Sequence, residues 1–471
     1  MGQDFQCFTR KVLNSHQKGD NMKLAKLSMV AVAVLGLGGH MFAADTLEDA
    51  FKNGKVTGDL RFVYTGGSNS DAVTQTAPVN NVSDGSIAAE LRYVTDSFYN
   101  FKLGLGFQSA HDLGFQKRNA TSPTDFTSKD DERNSVSTTL LSEAYVQYNF
   151  LKSNIMVGRQ KIKTPLIMTS TAFALEDSFD AAVLTINEIP DTMVKLMYIQ
   201  AWQMRYGGDA RKNAAGVTTP TQADDHFDKG IYSIFFKNKS ITGLTLDGQY
   251  LKSNENTMLF DAPVFIGAGG YDQYYLQAEY KLPISFPISL AMTYAAADYD
   301  TGVKAAPVPT LPFVGGDKAE LYGFKVATEI SGVKLNLAYT TMDDEANFPG
   351  TFGHVPDAVA YTDMLTNNAI FAGVDAYSIE AIYGFGIPGF NAGLKYARYT
   401  QSAKGVINSG NMNLDGADEI NIDLTYAFSG ALKGFSTRLW AGYGTYDHPL
   451  GVVSTKDDDF LYGRFYLNYK F

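Results

Sequence analysis

The sequence predicts an all-β protein, a transmembrane antiparallel β-barrel of 18 strands with long extracellular loops and short periplasmic turns. Three observations predict it. Segments of alternating apolar and polar residues recur along the chain, the connections between them alternate in length, and the last segment ends in alternating aromatics at Phe471. A β-strand turns successive side chains to opposite faces, so a strand with lipid on one side and water on the other reads as a period of two.

The first element precedes the barrel. Ser28 to Gly39 reads SMVAVAVLGLGG, behind Lys23 and Lys26 and ahead of Ala43 and Ala44. A charged start, an apolar middle and a small-residue end make a secretory signal. About a dozen residues is too short for a bilayer-spanning helix, which needs roughly 20. Met22 is the natural initiator for it. Residues 1–21 therefore read as an over-extended leader, 22–44 as the signal peptide and 45–471 as a single β-barrel domain. Removing 1–44 takes away Cys7, five basic residues (Arg10, Lys11, Lys18, Lys23, Lys26) and two acids (Asp4, Asp20). That leaves 34 Lys and Arg against 48 Asp and Glu, a net charge of −14 in place of −11. A chain without cysteine excludes a disulfide framework and a cysteine-rich zinc module. Its acidic surplus, with no basic cluster to offset it, excludes a nucleic-acid partner.

Eighteen alternating segments follow, near 56–65, 87–95, 101–109, 140–150, 155–162, 180–187, 193–202, 231–237, 242–252, 272–282, 288–297, 319–330, 333–342, 376–384, 390–400, 418–428, 435–446 and 460–471. Most have the 9 to 12 residues that a tilted strand uses to cross a bilayer. No later stretch holds 18 apolar residues, which excludes a helical membrane protein. Short turns such as 151–154, 188–191, 238–241, 283–287, 331–332 and 385–389 alternate with long polar segments. Short turns on one side and long loops on the other distinguish an outer-membrane barrel from the competing sandwich or propeller, and closure removes every strand edge from lipid.

In the last strand Phe465, Leu467, Tyr469 and Phe471 share one face. The terminal aromatics Phe471 and Tyr469, with Leu467, resemble the signal read by the barrel assembly machinery. That makes this machinery, outer-membrane lipid and lipopolysaccharide the expected partners.

Ser142 to Leu166 reads SEAYVQYNFLKSNIMVGRQKIKTPL, a strand, a turn and a strand ending in Gly158-Arg159-Gln160 and Thr164-Pro165, followed later by Phe179-Asp180-Ala181. These elements resemble the outer membrane porin D family of substrate-selective porins. The stretch DTLEDAFKNGKVTGDLRFVY from Asp45 is similar to the epsilonproteobacterial major outer membrane porins. The resemblance implies an 18-stranded barrel, either a monomer or a homotrimer, whose third long loop narrows the pore. By the strand count that constriction loop runs near 163–179. It carries Glu176 and Asp177, while Arg159 and Lys161 are expected on one face of the preceding strand and Glu143 on the polar face of the strand before. Opposed acids and bases across a constriction set ion preference. The polar faces carry both signs, among them Arg61, Arg92, Arg438 and Arg464 with Asp59, Glu90 and Asp423. The overall acidity leans toward mild cation preference.

Asp130-Asp131-Glu132, Asp343-Asp344-Glu345 and Asp457-Asp458-Asp459 lie in loops or at strand ends on the long-loop side. Such oxygen clusters could take a divalent cation bridging to lipopolysaccharide phosphates, but none has a calcium-loop spacing, which favours simple solvated acids. Otherwise no cofactor or metal is expected. An outer-membrane hydrolase is the alternative of another class, and it needs a positioned His. His111, His226, His354 and His448 are all expected in long loops, so no catalytic residue is assigned. A plugged 22-strand transporter has no room for its plug ahead of Val56. The function expected is an outer-membrane porin, a water-filled channel for passive diffusion of ions and small hydrophilic solutes. A non-conducting structural or adhesive barrel is the other alternative.

Overall fold

A computed structural model describes residues 44–69, 82–114, 137–203, 205, 211–212, 218–219, 224–253, 270–300, 316–352, 359–362, 364–365, 368–409, 413–446 and 458–471. The leader and nearly all of the signal segment, Asp130, Asp131, Glu132, Asp457, His354 and His448 lie outside the described residues.

Eighteen strands form one closed sheet. They are β1 (Lys55–Asn69), β2 (Val82–Val94), β3 (Phe101–Asp112), β4 (Thr138–Phe150), β5 (Ser153–Gln160) and β6 (Ser178–Ile186). Next come β7 (Thr192–Gln203), β8 (Asp224–Asn238), β9 (Leu244–Ser253), β10 (Tyr271–Lys281), β11 (Ile288–Tyr299) and β12 (Lys318–Ile330). The last six are β13 (Val333–Met342), β14 (Val374–Tyr383), β15 (Phe390–Gln401), β16 (Asp418–Ala427), β17 (Phe435–Tyr446) and β18 (Asp458–Lys470). Each pairs antiparallel with its neighbours in sequence, and β1 closes on β18 from Asp59 opposite Lys470 to Asn69 opposite Phe460. All eighteen predicted segments are strands. His111 and His226, expected in loops, lie instead in β3 and β8, because those strands run past the bilayer-length core of the pattern.

Register assigns the faces. Residues paired across an antiparallel ladder share a face, so Asp59, Arg61, Val63 and Thr65 look inward with Lys470, Asn468, Tyr466 and Arg464. Leu60, Tyr64, Phe465, Leu467 and Phe471 look outward and are exposed, as a lipid-facing wall must be. The turns on the other side are short, from two residues at 331–332 to seven at 428–434. At Ser331-Gly332 both residues have positive φ, 51° and 82°, the backbone of a two-residue turn whose twist matches that of its strands. At the seam Gly58 and Phe471 exchange backbone hydrogen bonds at 2.9 and 3.1 Å. The Phe471 ring lies where any Cβ at position 58 would be, 2.2 Å from its nearest atom.

The outward face carries a belt toward the long-loop end. The seventh residue of β7, β9, β11, β13 and β15 is a tyrosine each time: Tyr198, Tyr250, Tyr294, Tyr339 and Tyr396. Four of these rings pair with Tyr232, Tyr274, Tyr322 and Tyr377 on the next strand at 4.8 to 5.3 Å between centroids. The hydroxyls of Tyr250, Tyr294, Tyr339 and Tyr396 donate to Asp272, Glu320, Asp375 and Asp418. Amphipathic rings at this level form the girdle that marks the membrane–water boundary. The seventh residue of β5 is Arg159.

Gly58→Val should push the Phe471 ring out of its seat and weaken β1–β18 closure. The expected outcome is a reduced fraction of barrel with folded mobility on an unheated denaturing gel, whereas Leu60→Val one step along the same face should leave that fraction unchanged.

Candidate functional site: the loop-narrowed lumen

Two long connections turn back into the barrel. The third long loop, 161–177, leaves β5 and crosses to the β1 wall before returning to β6. It begins two residues earlier than expected, and Phe179 belongs to β6. Its near part forms a small hairpin, Lys163 opposite Met168 and Thr164 opposite Ile167. The buried amide of Gln249 on β9 holds this hairpin: its Oε1 accepts from Leu166 N at 2.8 Å and its Nε2 donates to Thr164 Oγ1 at 3.0 Å. The seventh long loop, 343–373, meets it through a bridge between Ile167 and Phe352. Met168 N donates to Phe352 O at 2.7 Å and Phe352 N to Leu166 O at 3.1 Å.

Apolar residues explain why these loops stay inside. Ile162, Leu166 and Ile167 from the third loop and Phe348, Phe352, Met364 and Ile370 from the seventh pack on Trp202, Phe235, Tyr271, Tyr299, Leu321 and Tyr399 of the wall. Burying side chains of this size contributes about 1.5 to 3 kcal/mol each. The β6–β15 side of the lumen is therefore filled largely by an apolar mass, and a network of ion pairs lies on the opposite side.

There the third loop docks through ions. Arg61 reaches from β1 to Glu176 at 3.0 Å and Asp59 at 3.1 Å, and its Nη1 donates to Phe173 O at 2.7 Å. Lys161 pairs with Glu176 at 2.9 Å and with Glu90 at 2.6 Å. Arg92 pairs with Glu143 at 2.7 Å and donates to the Tyr145 hydroxyl at 3.1 Å. Gln108 closes the set, its Nε2 donating to Glu176 O at 2.6 Å and its Oε1 accepting from Glu176 N at 3.0 Å. Beneath these groups Ala174 and Leu175 pack on Val63, Ala88, Ala110, Leu140 and Tyr466.

Glu143, Lys161 and Glu176 thus come together as one inward-facing cluster, while the other two expected members stand apart from it. Arg159 lies opposite Ala144 and Asp180, on the face away from Tyr145, and is bound bidentately by Asp180 at 2.7 and 2.9 Å. Alternation put it beside Lys161, but β5 ends at Gln160 and the chain then bends inward, so only Lys161 enters the lumen. Asp177 is sealed at the loop base. Its Oδ1 accepts from Trp202 Nε1 at 3.2 Å and Arg205 N at 3.1 Å. The acids of 343–345 engage the protein itself: Asp344 pairs with Lys404 at 2.8 Å, and burial pushes the Asp343 carboxyl above its usual range. Among the described residues no group of three or more His, Cys, Asp or Glu could hold a metal.

One inward-facing group went unnoticed in the pattern. On β17 and β18 Arg438 lies over Trp440 at 4.7 Å, and Arg464 lies near the same ring at 5.7 Å and near Phe173 of the third loop at 5.1 Å. Asp423 binds Arg438 through two contacts of 2.8 Å. Arg464 has no carboxylate partner among the described residues; its Nε donates to the Tyr462 hydroxyl at 3.0 Å. The period-two pattern identifies both arginines as polar-face residues, but the contact of Arg464 with Phe173 depends on a loop ring brought from nearly three hundred residues away.

A closed antiparallel barrel with an apolar outer face, an aromatic girdle and a charged lumen narrowed by infolded loops defines an outer-membrane channel. Residues 100–471 match the family described as outer membrane porin, OprD family, and the chain belongs to that family. No curated protein matches it. Among solved structures it resembles Pseudomonas aeruginosa OpdO at 14% identity, covering 90% of this chain and 98% of that one with a TM-score of 0.63. Acinetobacter baumannii OccAB1 is similar at 14% identity, with 92% and 99% covered and a TM-score of 0.64. Pseudomonas aeruginosa OccD3 (OpdP) is similar at 14% identity, with 93% and 96% covered and a TM-score of 0.62. The protein is a porin of the bacterial outer membrane, a channel for small solutes.

Glu176→Leu removes the carboxylate that joins Arg61 to Lys161. Breaking a buried pair from one side costs on the order of 3 kcal/mol, so unfolding in urea from lipid vesicles should show a loss of that size, with a smaller loss for Glu176→Gln.

Proposed function

We propose that solutes pass on the charged side of the lumen, beside the tip of the third loop, and that carboxylate-bearing solutes dwell at Arg464. The observation that carries this is Arg464 itself, a guanidinium held among Trp440, Tyr462 and Phe173 with donors not taken up by a carboxylate among the described residues. The acids of the cluster are matched to bases, so Glu143, Lys161 and Glu176 shape the constriction and supply a transverse field. This local sign opposes the cation preference suggested by the acidity of the whole chain, because an ion in the eyelet responds most to the nearest unscreened charge. Passive diffusion with a single weak binding step is the transport mode: binding must be strong enough to admit a solute and weak enough to release it.

The outward strip of Leu467, Tyr469 and Phe471 supports an assembly signal, since all three are presented on the lipid face. The girdle supports a homotrimer over a monomer. On β5–β6 the Tyr pair is replaced by Arg159 and Asp180, and nearby the Ser109 and Thr139 hydroxyls bond each other at 2.7 Å. Polar pairs on an outward wall are better placed against a second copy than against lipid.

In planar bilayers the purified protein should give discrete conductance steps; a silent bilayer would reject the channel reading and leave a structural barrel. Arg464→Gln should raise the half-blocking concentration of a benzoate-type carboxylate about tenfold, ~1.4 kcal/mol, the low end for a charge-assisted hydrogen bond. It should also move the reversal potential toward cations. A cysteine replacing Thr139 should cross-link to a second copy through a short bismaleimide, and one replacing Tyr377 on the belted wall should not. A single-chain mass in lipid nanodiscs would overturn the trimer.

A further inference from the structure

Phe173 sits at the tip of the third loop between two arginines from different parts of the chain. Arg61 holds its backbone by the 2.7 Å bond to its carbonyl, but its ring has only side-chain neighbours to orient it. Arg464 stands 5.1 Å from the ring centroid. Arg205, just beyond the end of β7, lies much closer at 3.7 Å, the distance of a guanidinium stacked flat on the ring. Arg205 is itself immobilised: it is 1% exposed, its backbone N–H donates to Asp177 Oδ1 at 3.1 Å, and its Nη1 is 3.6 Å from Asp177 Oδ2. Asp177 is fully buried, and its Oδ1 also accepts from Trp202 Nε1 at 3.2 Å. The line runs from the β7 wall through Trp202, Asp177, Arg205 and Phe173 to Arg464.

Such a line has a mechanical consequence. A buried ion pair with bonded partners has one low-energy geometry, since displacing either charge leaves the other unpaired in a medium of low polarity. The stacked ring inherits that fixed position, and a guanidinium facing the ring's other neighbours is confined by it. Arg205 reaches neither the open lumen nor Arg464, yet it is stacked on Phe173, the third-loop ring that lies beside Arg464.

We propose that Arg205 is a positioning residue of the channel: stacked on Phe173 and anchored by Asp177, it sets how far Phe173 and the neighbouring Arg464 guanidinium reach into the solute path. The proposal rests on the reading that solutes pass Arg464. It goes beyond that reading by assigning the control of the arginine's position to a residue outside the path.

The test uses the full barrel in planar bilayers, with folded mobility on an unheated gel as the check of assembly. Arg205→Met keeps the apolar stem and removes the planar cation. It should raise open-channel current noise at least threefold and raise the half-blocking concentration of benzoate in the same direction as Arg464→Gln. Arg205→Lys retains a charge for Asp177 but not the flat stack, so it should behave like Arg205→Met. If Arg205→Met yields no folded barrel, Phe173→Leu removes the ring from the wall side and should give the same two changes. Parent-like noise and block in folded Arg205→Met, or full rescue by lysine, would overturn the proposal and reduce Arg205 to a charge anchor. A parent-like Arg464→Gln alongside a noisy Arg205→Met would overturn the Arg464 reading while showing that Arg205 holds the loop.

Discussion

Lipid offers a strand's backbone no hydrogen-bond partner, and the architecture of this porin follows from that constraint. Each N–H and C=O of a crossing segment must find its mate on a neighbouring strand, so the sheet cannot end. The β1–β18 ladder, eleven residue pairs from Asp59–Lys470 to Asn69–Phe460, is where this requirement is met last. Once the sheet is closed, every side chain is assigned by alternation to lipid or to lumen. The exposed Leu, Ile and Phe of the wall are then in their proper solvent, while the inward set is free to hold arginines, lysines and carboxylates.

The lumen is organised by the same separation on a smaller scale. Its β6–β15 side is packed as a protein core, with Trp202, Phe352 and Tyr271 fully buried beneath the infolded loops. Its β1–β5 side is bound by ions, with Arg61, Lys161 and Glu176 near the centre of the array. One loop uses both kinds of attachment: the hairpin around Ile167 belongs to the apolar mass, and the tip around Glu176 belongs to the charged wall. A narrow passage with a fixed shape needs both, since apolar packing supplies adhesion without direction and paired charges supply direction at a cost in desolvation.

Much of this was legible in the sequence. A wall strand has only one degree of freedom, which face looks out, and period-two alternation reveals it directly, so all eighteen segments and the lumen orientation of Arg61, Glu90, Arg92 and Glu143 could be read. Glu176 was legible for the same reason, as an acid in the third long connection. Arg159 was not, because alternation ends with the strand and nothing local shows the bend after Gln160. The third-loop part of the aromatic setting of Arg464 was hidden too. It depends on Phe173, a ring in a loop of small and polar residues, whose destination is decided by contacts with β1, β3 and the residue after β7. The infolding of the seventh loop was likewise unreadable, since Phe348 and Phe352 look like ordinary loop aromatics until their partners on the third loop are known.

The bridge between Ile167 and Phe352 has a meaning for how such a surface can change over time. Two of the long connections are committed to the interior and to each other, so a change in length or shape in one must be absorbed by the other and by the wall beneath it. The connection after β15 is drawn into the same arrangement, since Asn408 donates to Asp344 O at 2.6 Å and Lys404 pairs with Asp344 at 2.8 Å. A change on the cell surface that alters either infolded loop is therefore also a change in the passage below. The two infolded loops are inherited as one part, because neither keeps its shape without the other.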